Sequence, residues 1–172
     1  HKFFTTILQS TLIVALILLV IIMMMQINRL QGTARVINYA GIVRGATQRE
    51  VKLEVTGNAN DELIQYLDDI LNGLKYENGN YDLIRLEDAD YQQKLSRQID
   101  YWELLKKEIQ KVRSVGYRDT DIVEMSEAYF KLADETVSSA EVYSEKIAKI
   151  LRVLEIFSAV IMAGLILLII EQ

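Results

Sequence analysis

The chain has 172 residues, of which 51% are apolar and 25% are charged, and its formal net charge at pH 7 is −5. Because a nucleic-acid binder needs a basic surface to neutralise phosphates, this acidic balance excludes a nucleic-acid partner. The chain contains no Cys and only one His, its first residue, which excludes disulfides, thiol nucleophiles, His-based triads and His-rich metal sites. Carboxylates alone would have to perform acid–base chemistry, and no convergent pair is evident. We therefore expect no enzyme activity, cofactor or metal in this segment.

The first predicted element is a membrane-spanning helix. Residues 3–28 carry no charge, and residues 12–25 are apolar without interruption. A helix of about 20 such residues crosses a hydrocarbon core about 30 Å thick. A cleaved signal peptide is the alternative, but residues 23–26 (Met-Met-Met-Gln) do not resemble the small-residue cleavage site of such peptides. We therefore expect a retained anchor, with residues 1–26 forming a cytoplasmic stub and the first transmembrane helix.

Breaks that contain Gly and Asn divide the polar middle of the chain. The expected breaks are residues 56–58 (Thr-Gly-Asn), residues 78–80 (Asn-Gly-Asn) and Gly116. Four predicted helices result, at roughly residues 27–56, 60–75, 83–115 and 120–150. The predicted N-caps are Asn60 for the second helix, Asp82 for the third, and Asp119 or Thr120 for the fourth.

The spacing of the apolar residues predicts how these helices pack. Apolar side chains recur at heptad-like spacing, as in Leu95, Trp102 and Ile109 of the third helix. Short loops and one apolar face per helix are typical of an antiparallel four-helix bundle, so we expect an all-α fold in which residues 27–149 form this bundle. The acidic run at residues 87–90 is expected to be a solvated helix face, because consecutive helical positions diverge around the axis and form no cation site.

A second apolar run is expected to return the chain through the membrane. Residues 153–170 contain one charge, Glu155, which is tolerated at the interface, where a carboxylate reaches water. A buried amphipathic helix would need a polar face, and this run has none. We expect a second transmembrane helix at residues 150–172, with both chain ends on the cytoplasmic side of a bacterial inner membrane and residues 27–149 outside it. We also expect an output domain to follow this segment in the intact protein.

The first helix of the predicted bundle breaks its own apolar pattern. Its 3–4 spacing gives a seam made of Ile27, Leu30, Ala34, Ile37, Gly41, Arg44, Gln48, Val51 and Val55. Gly41 and Gly45 cost a helix about 1 kcal/mol each relative to Ala, and they let a partner approach closely. Arg44 either binds a small oxyanion or carboxylate through its planar donors or forms a structural ion pair with Glu127 or Asp134.

One segment of this helix resembles a known motif. Residues 36–44 (Val-Ile-Asn-Tyr-Ala-Gly-Ile-Val-Arg), continued by Gln-Arg at positions 48 and 49, resemble the periplasmic box of nitrate/nitrite sensor histidine kinases. The pattern is also similar to the N-terminal domain of type IV pilus methyl-accepting chemotaxis transducers. The resemblance implies a homodimeric receptor ectodomain in which Arg44 takes the ligand at the subunit interface, close to Gly41. The predicted ligand-binding residues are accordingly Asn38, Gly41, Arg44, Gly45 and Gln48.

The residues after this motif, Arg49, Lys52 and Glu54, are expected on a solvated surface or in ion pairs between subunits. We expect the whole segment to be the sensory module of a bacterial transmembrane receptor that dimerises through its first helix. It would bind a small polar or anionic solute and pass a helix displacement to a histidine kinase of a two-component system, a diguanylate cyclase or a chemotaxis signalling rod. The alternative is a two-span helical protein that tethers partners and binds no small ligand.

Overall fold

The computed structural model of the chain describes residues 2–171, and its regular structure is helical. Within that range there is no strand, and the elements are α1 Lys2–Val55, α2 Asp61–Tyr76, α3 Ala89–Val115, a 3-10 turn at Tyr117–Asp119 and α4 Ile122–Ile170. The expectation of an all-α fold is confirmed. The first and last residues, which belong to the predicted cytoplasmic stub and second transmembrane helix, lie outside the described range.

The chain divides into two compact units. One unit is Gly32–Tyr143, which contains α2, α3 and the adjoining parts of α1 and α4. The other unit consists of the two ends of the chain, up to Gln31 and from Ser144 onward. Because neither α1 nor α4 is interrupted, each of these helices supplies residues to both units.

The core of the unit Gly32–Tyr143 is filled by side chains from all four helices. Its largest fully buried members are Trp102 and Tyr91 on α3 and Tyr129 on α4, and the rings of Trp102 and Tyr129 lie 5.9 Å apart. The remaining core is mostly aliphatic and includes Val36, Ala40 and Val43 from α1 and Leu63, Leu67 and Ile70 from α2. Removal of these apolar surfaces from water is the main force that holds the four helices together.

The face that α1 turns toward this core is not the predicted one. The buried residues of α1 are Thr33, Val36, Ala40, Val43, Thr47, Glu50, Val51 and Glu54. Most of these residues directly precede a residue of the predicted seam in the sequence. The buried row therefore lies about 100° around the helix from that seam. Of the predicted seam within this unit only Val51 is buried, whereas Gly41, Arg44 and Gln48 are half-buried. Both rows repeat every three or four residues, so periodicity alone does not distinguish them.

The start of α2 agrees with the sequence prediction, and the start of α3 does not. Asn60 caps α2, because its side-chain oxygen accepts a hydrogen bond from the Leu63 N–H at 3.0 Å. The third helix begins at Ala89 and not at residue 83, since its N-cap is Asp88, which accepts from the Tyr91 N–H at 3.0 Å. The acidic run at residues 87–90 therefore spans the start of α3 and does not lie within a helix, and Glu87 and Asp90 are exposed as expected.

The fourth helix also begins later than predicted. Gly116 ends α3 as expected, with its N–H donating to the Val112 carbonyl at 2.9 Å. The 3-10 turn follows, so neither Asp119 nor Thr120 opens α4 directly. The N–H of Asp121 donates to Oε1 of Glu108 on α3 at 2.8 Å. A side chain from another helix thus helps to fix the start of α4, and local sequence does not reveal such a contact.

The ends of the chain are long and apolar enough to cross a membrane. An 18-residue stretch in each of α1 and α4 has a mean hydropathy of 2.8, and 0% and 6% of these stretches, respectively, are buried. The exposed apolar side chains include Phe3, Ile13 and Ile17 in α1 and Ile156, Val160 and Leu167 in α4. Soluble proteins rarely expose apolar patches of this size, so these helices favour a membrane protein.

Candidate functional site

The five predicted ligand-binding residues lie along one outer part of α1. Asn38 and Gly45 are exposed, whereas Gly41, Arg44 and Gln48 are half-buried. An α-helix places residues three and four positions apart on the same face, which is why these positions share a surface. The surface borders the core of the unit without being part of it.

Arg44 forms an ion pair with Asp134 on α4. One Nη of Arg44 donates to Oδ1 of Asp134, and the guanidinium lies 5.8 Å from the centre of the Phe130 ring. Of the two carboxylates considered from the sequence, Glu127 and Asp134, it is therefore Asp134 that pairs with Arg44. The side chains of Arg44 and Asp134 remain 33% and 53% exposed, so water screens the pair and its net contribution to stability is about 0–1 kcal/mol. The guanidinium also stays accessible to an anion from solution.

Gln48 forms a second polar contact between α1 and α4. Its Nε2 donates to the Ser126 carbonyl at 3.1 Å, and its Oε1 accepts from the Ser126 hydroxyl at 3.2 Å. Both ends of the Gln48 amide are thus engaged by one residue of α4. The side chain aligns α1 with α4 at the edge of the predicted site.

Gly41 and Gly45 border open space. A Cβ added at either position would meet no heavy atom within 4 Å outside the local helix backbone. Gly73 is different, because a Cβ there would lie 3.1 Å from Cδ1 of Leu83 and 3.3 Å from the Asn78 carbonyl oxygen. Packing within one chain therefore explains the glycine at position 73 but not those at 41 and 45. The latter two still cost α1 about 1 kcal/mol each relative to Ala.

A second group of charged residues lies near the end of α1, and of its members only Glu54 was considered for an ion pair from the sequence. Arg113 of α3 donates to both carboxylate oxygens of Glu54, from Nε at 2.9 Å and from Nη2 at 2.5 Å. Its Nη1 donates to Oδ1 of Asp61 on α2 at 2.7 Å. Glu50 is buried one turn before Glu54 on α1. We call Glu50, Glu54, Asp61 and Arg113 the carboxyl cluster.

Of the two predictions for Glu54, the solvated surface is wrong, and the ion pair that Glu54 forms is with Arg113 of the same chain. Glu54 is 4% exposed, because it continues the buried row of α1 and not the outer one. The signal was present in the sequence, since the 3–4 spacing of Val36, Ala40 and Val43 leads through Thr47 to both glutamates. A carboxylate at the end of an apolar row indicates a buried partner, here Arg113.

The pKa values of the two glutamates shift in opposite directions. Burial is the main cause that raises the pKa of Glu50 from 4.5 to about 8; the hydrogen bond and charge of Glu54 act in the same direction, and Arg113 acts against them. Burial also opposes ionisation of Glu54, but hydrogen bonds from Arg113 and Glu50 outweigh it and lower the pKa of Glu54. The two shifts thus favour the protonated form at Glu50 and the ionised form at Glu54.

A cavity of about 450 Å³ lies between α2 and α3. At its edge Asp68 accepts hydrogen bonds from Nε1 of Trp102 at 2.7 Å and from Nζ of Lys106 at 2.8 Å. Burial opposes the charge on Lys106, but its hydrogen bonds to Asp68 and Glu103 outweigh burial and raise its pKa. Lys106 is thus paired with two carboxylates at the edge of this cavity.

Among residues 2–171, no group of three or more His, Cys, Asp or Glu side chains is arranged to hold a metal ion. The chain matches no protein-family model, no curated protein and no solved structure. A functional assignment therefore depends on the chemistry of the α1 surface and on the two apolar helices.

Proposed function

We propose that this chain is the sensory module of a bacterial transmembrane receptor, which binds a small oxyanion or carboxylate between two copies of α1. In this proposal residues 27–149 form an antiparallel four-helix bundle outside the inner membrane, and the apolar parts of α1 and α4 cross that membrane. The observation that carries the proposal is the position of Arg44. Its side chain is 33% exposed at the edge of the core, and it lies beside two glycines that packing within one chain does not require.

The chemistry of Arg44 suits an anionic ligand. Its guanidinium is planar and always charged, and it presents donors that match two oxygens of an oxyanion or carboxylate. Asp134 engages one Nη of this group, so an incoming anion would compete with a carboxylate that is itself half in solvent. The Phe130 ring, 5.8 Å from the guanidinium, would cover part of the site from water.

A second copy of the chain is the partner that the open glycines favour. Helices approach each other closely where small residues face the partner, and Gly41 and Gly45 leave open space on α1. A two-fold arrangement of α1 would bring two Arg44 side chains near each other. Their mutual repulsion in the empty receptor would be relieved by one anion between them.

Signal transmission in this proposal follows the long helices. α4 contains no Gly or Pro between Ile122 and Ala163, so it has no residue of the kind that usually absorbs a displacement by kinking. A shift of α4 in the ectodomain would therefore reach its apolar part. The output would be a histidine kinase, a diguanylate cyclase or a chemotaxis signalling rod.

A two-span protein that tethers partners without binding a small ligand is the second candidate. It is favoured by the Arg44–Asp134 ion pair and by the two Gln48–Ser126 hydrogen bonds, because these contacts engage the side chains of Arg44 and Gln48 within one chain. The two candidates predict different effects of removing the Arg44 charge. The receptor would lose its anion binding, whereas the tethering protein would have no anion binding to lose.

Calorimetric titration of the 172-residue chain in detergent with nitrate, nitrite and acetate tests the proposal. We expect one of these anions to bind with one ion per two chains, and Arg44→Met to abolish this binding. Arg44→Lys should weaken binding about 10-fold, or about 1.4 kcal/mol, because an ammonium lacks the bidentate fork. Asp134→Asn should strengthen it by removing the competing carboxylate. The exposed Arg49 supplies the control, and Arg49→Met should bind like the parent.

Two results would contradict the proposal. Equal binding by Arg44→Met and the parent would mean that the anion site lies away from Arg44. Failure of the parent to bind any of the three anions, together with a lower unfolding temperature of Arg44→Met, would assign Arg44 to a structural ion pair and favour the tethering protein.

A further inference from the structure

Glu50 is a buried carboxyl without a cation of its own. It is 0% exposed, and neither of its carboxyl oxygens has an N–H or O–H donor as partner in the described part of the chain. Arg113 donates hydrogen bonds from Nε and Nη2 to Glu54 and from Nη1 to Asp61. An ionised carboxylate at Glu50 would therefore be removed from water without compensation, and such a charge is very costly in a protein interior.

The charged groups that act on Glu50 come from three helices. They are Glu54 on α1, Asp61 on α2 and Arg113 on α3. The acidic residues at the start of α4 are all exposed: Asp121, Glu124 and Glu127. If all three carboxyls of the cluster were ionised, the guanidinium would leave two negative charges uncompensated. Glu54 also lies in the last turn of α1, where the helix dipole disfavours anions.

We propose that Glu50 and Glu54 form a proton-binding pair that makes this end of the unit Gly32–Tyr143 sensitive to pH. With the proton present, the Glu50 hydroxyl donates to the Glu54 carboxylate, which Arg113 holds from its other side. Arg113 also holds Asp61, so one chain of hydrogen bonds joins α1, α3 and α2. Loss of the proton leaves two adjacent buried carboxylates, and their repulsion loosens the end of α1 from α2 and α3. This inference is independent of any ligand at Arg44.

The direction of the pH effect follows from the two pKa shifts. The pKa of Glu50 is about 8 in the folded chain against an ordinary value of 4.5, so the folded state holds this proton more tightly than the unfolded state. The stabilisation by Glu50 is therefore complete below pH 4.5 and is lost as the pH rises to about 8. The lowered pKa of Glu54 acts in the opposite sense, and its contribution is lost as the pH falls through 4.5 and below.

Infrared titration of the full chain in detergent tests for the proton directly, because a protonated carboxyl has a carbonyl stretch that a carboxylate lacks. At about pH 6, where ordinary glutamates are ionised, we expect a protonated-carboxyl band that disappears with a midpoint near 8. Glu50→Gln should remove the band. Glu54→Gln should keep it but move the midpoint to lower pH, since a neighbouring negative charge is gone. Glu62, exposed on the first turn of α2, is the control, and Glu62→Gln should titrate like the parent.

Hydrogen exchange tests the structural consequence. Gln at position 50 mimics the protonated side chain. At about pH 9 the backbone amides of residues 51–55 should therefore exchange faster in the parent than in Glu50→Gln. At about pH 6 these amides should exchange equally fast in both proteins. The titration of the parent needs no variant and therefore stands even if Glu50→Gln folds poorly. Absence of the band from the parent at about pH 6, its persistence in Glu50→Gln, or equal exchange at both pH values would each overturn the inference.

Discussion

Tyr91 and Tyr129 are both buried in the core, but only Tyr129 has a partner for its hydroxyl. Nε2 of Gln98 donates to the Tyr129 oxygen at 3.0 Å, whereas the Tyr91 hydroxyl has no hydrogen-bond partner within residues 2–171. Burial raises the pKa of both hydroxyls, for Tyr129 to about 12, so both are neutral. A buried polar group that leaves water without gaining a partner costs about 1–3 kcal/mol.

We therefore expect opposite outcomes for the same substitution at these positions. Tyr91→Phe should leave the free energy of unfolding unchanged or raise it by about 1 kcal/mol, because it removes an unpaired hydroxyl. Tyr129→Phe should lower it by about 1–3 kcal/mol, because Gln98 is 2% exposed and would lose its partner. Chemical denaturation of the full chain in detergent, followed by circular dichroism, measures both. An equal loss for the two variants would mean that the Tyr91 hydroxyl is hydrogen-bonded after all.

At the level of single residues, the sequence indicated the surface around Arg44 but not the role of Glu50. The row through Gly41, Arg44 and Gln48 is conspicuous because it interrupts an apolar pattern. The true buried row ends in two glutamates, and Glu is almost never fully buried unless it is paired. Arg113, the partner of Glu54, lies 59 residues further along the chain and reaches Glu54 only because α3 packs against α1. Tertiary contacts of this kind are not encoded in the spacing of one helix.

The starts of α2 and α3 each depend on one capping side chain. Asn60 and Asp88 accept hydrogen bonds from the backbone N–H groups of Leu63 and Tyr91, both at 3.0 Å. The first backbone N–H groups of a helix have no partner within the helix, so such a side chain satisfies a donor that would otherwise depend on water. Asp88 also places negative charge at the positive end of the α3 dipole.

We predict that Asn60→Ala and Asp88→Ala each lower the free energy of unfolding by about 0.5–2 kcal/mol, because each leaves a helix N-terminus without its acceptor. Thermal unfolding of the full chain, followed by circular dichroism, measures the loss. Asn80 is exposed in the segment between α2 and α3 and supplies the control. Asn80→Ala should unfold like the parent, and a loss as large as that of Asp88→Ala would argue against a specific capping effect.

The end of α1 and the start of α2 followed from turn chemistry, and the start of α3 shows why other boundaries did not. Asp82 and Asp88 are the same residue type, and Leu83 and Leu86 have the spacing of a helical face. In the structure this segment is held by side chains instead: Oε1 of Glu77 accepts from the Arg85 N–H at 2.7 Å, and Nε2 of Gln92 donates to the Leu86 carbonyl at 2.8 Å. These contacts depend on how α2 and α3 lie relative to the segment, which local sequence does not specify.

At the scale of the whole molecule, the apolar ends of α1 and α4 determine where the protein can reside. Phe3 is 80% exposed and Ile170 is 74% exposed, and only 0% and 6% of the most apolar stretches of α1 and α4, respectively, are buried. Each Å² of apolar surface left in water costs about 25 cal/mol, so a hydrocarbon environment stabilises these helices where water does not. Two crossings would return the chain to the side on which it began.

A labelling experiment in intact bacterial cells tests this topology. Because the chain has no Cys, single cysteines at Asn78 and Lys2, both exposed, report their own positions without background from the protein. We expect a membrane-impermeant maleimide to label Asn78→Cys and not Lys2→Cys, since two spans would place the loop after α2 outside the cell. Permeabilised cells provide the control, in which both variants should react. Labelling of Lys2→Cys alone in intact cells would place residues 27–149 in the cytoplasm. Recovery of the unlabelled protein in the soluble fraction would mean that the apolar helices are covered by protein and not by lipid.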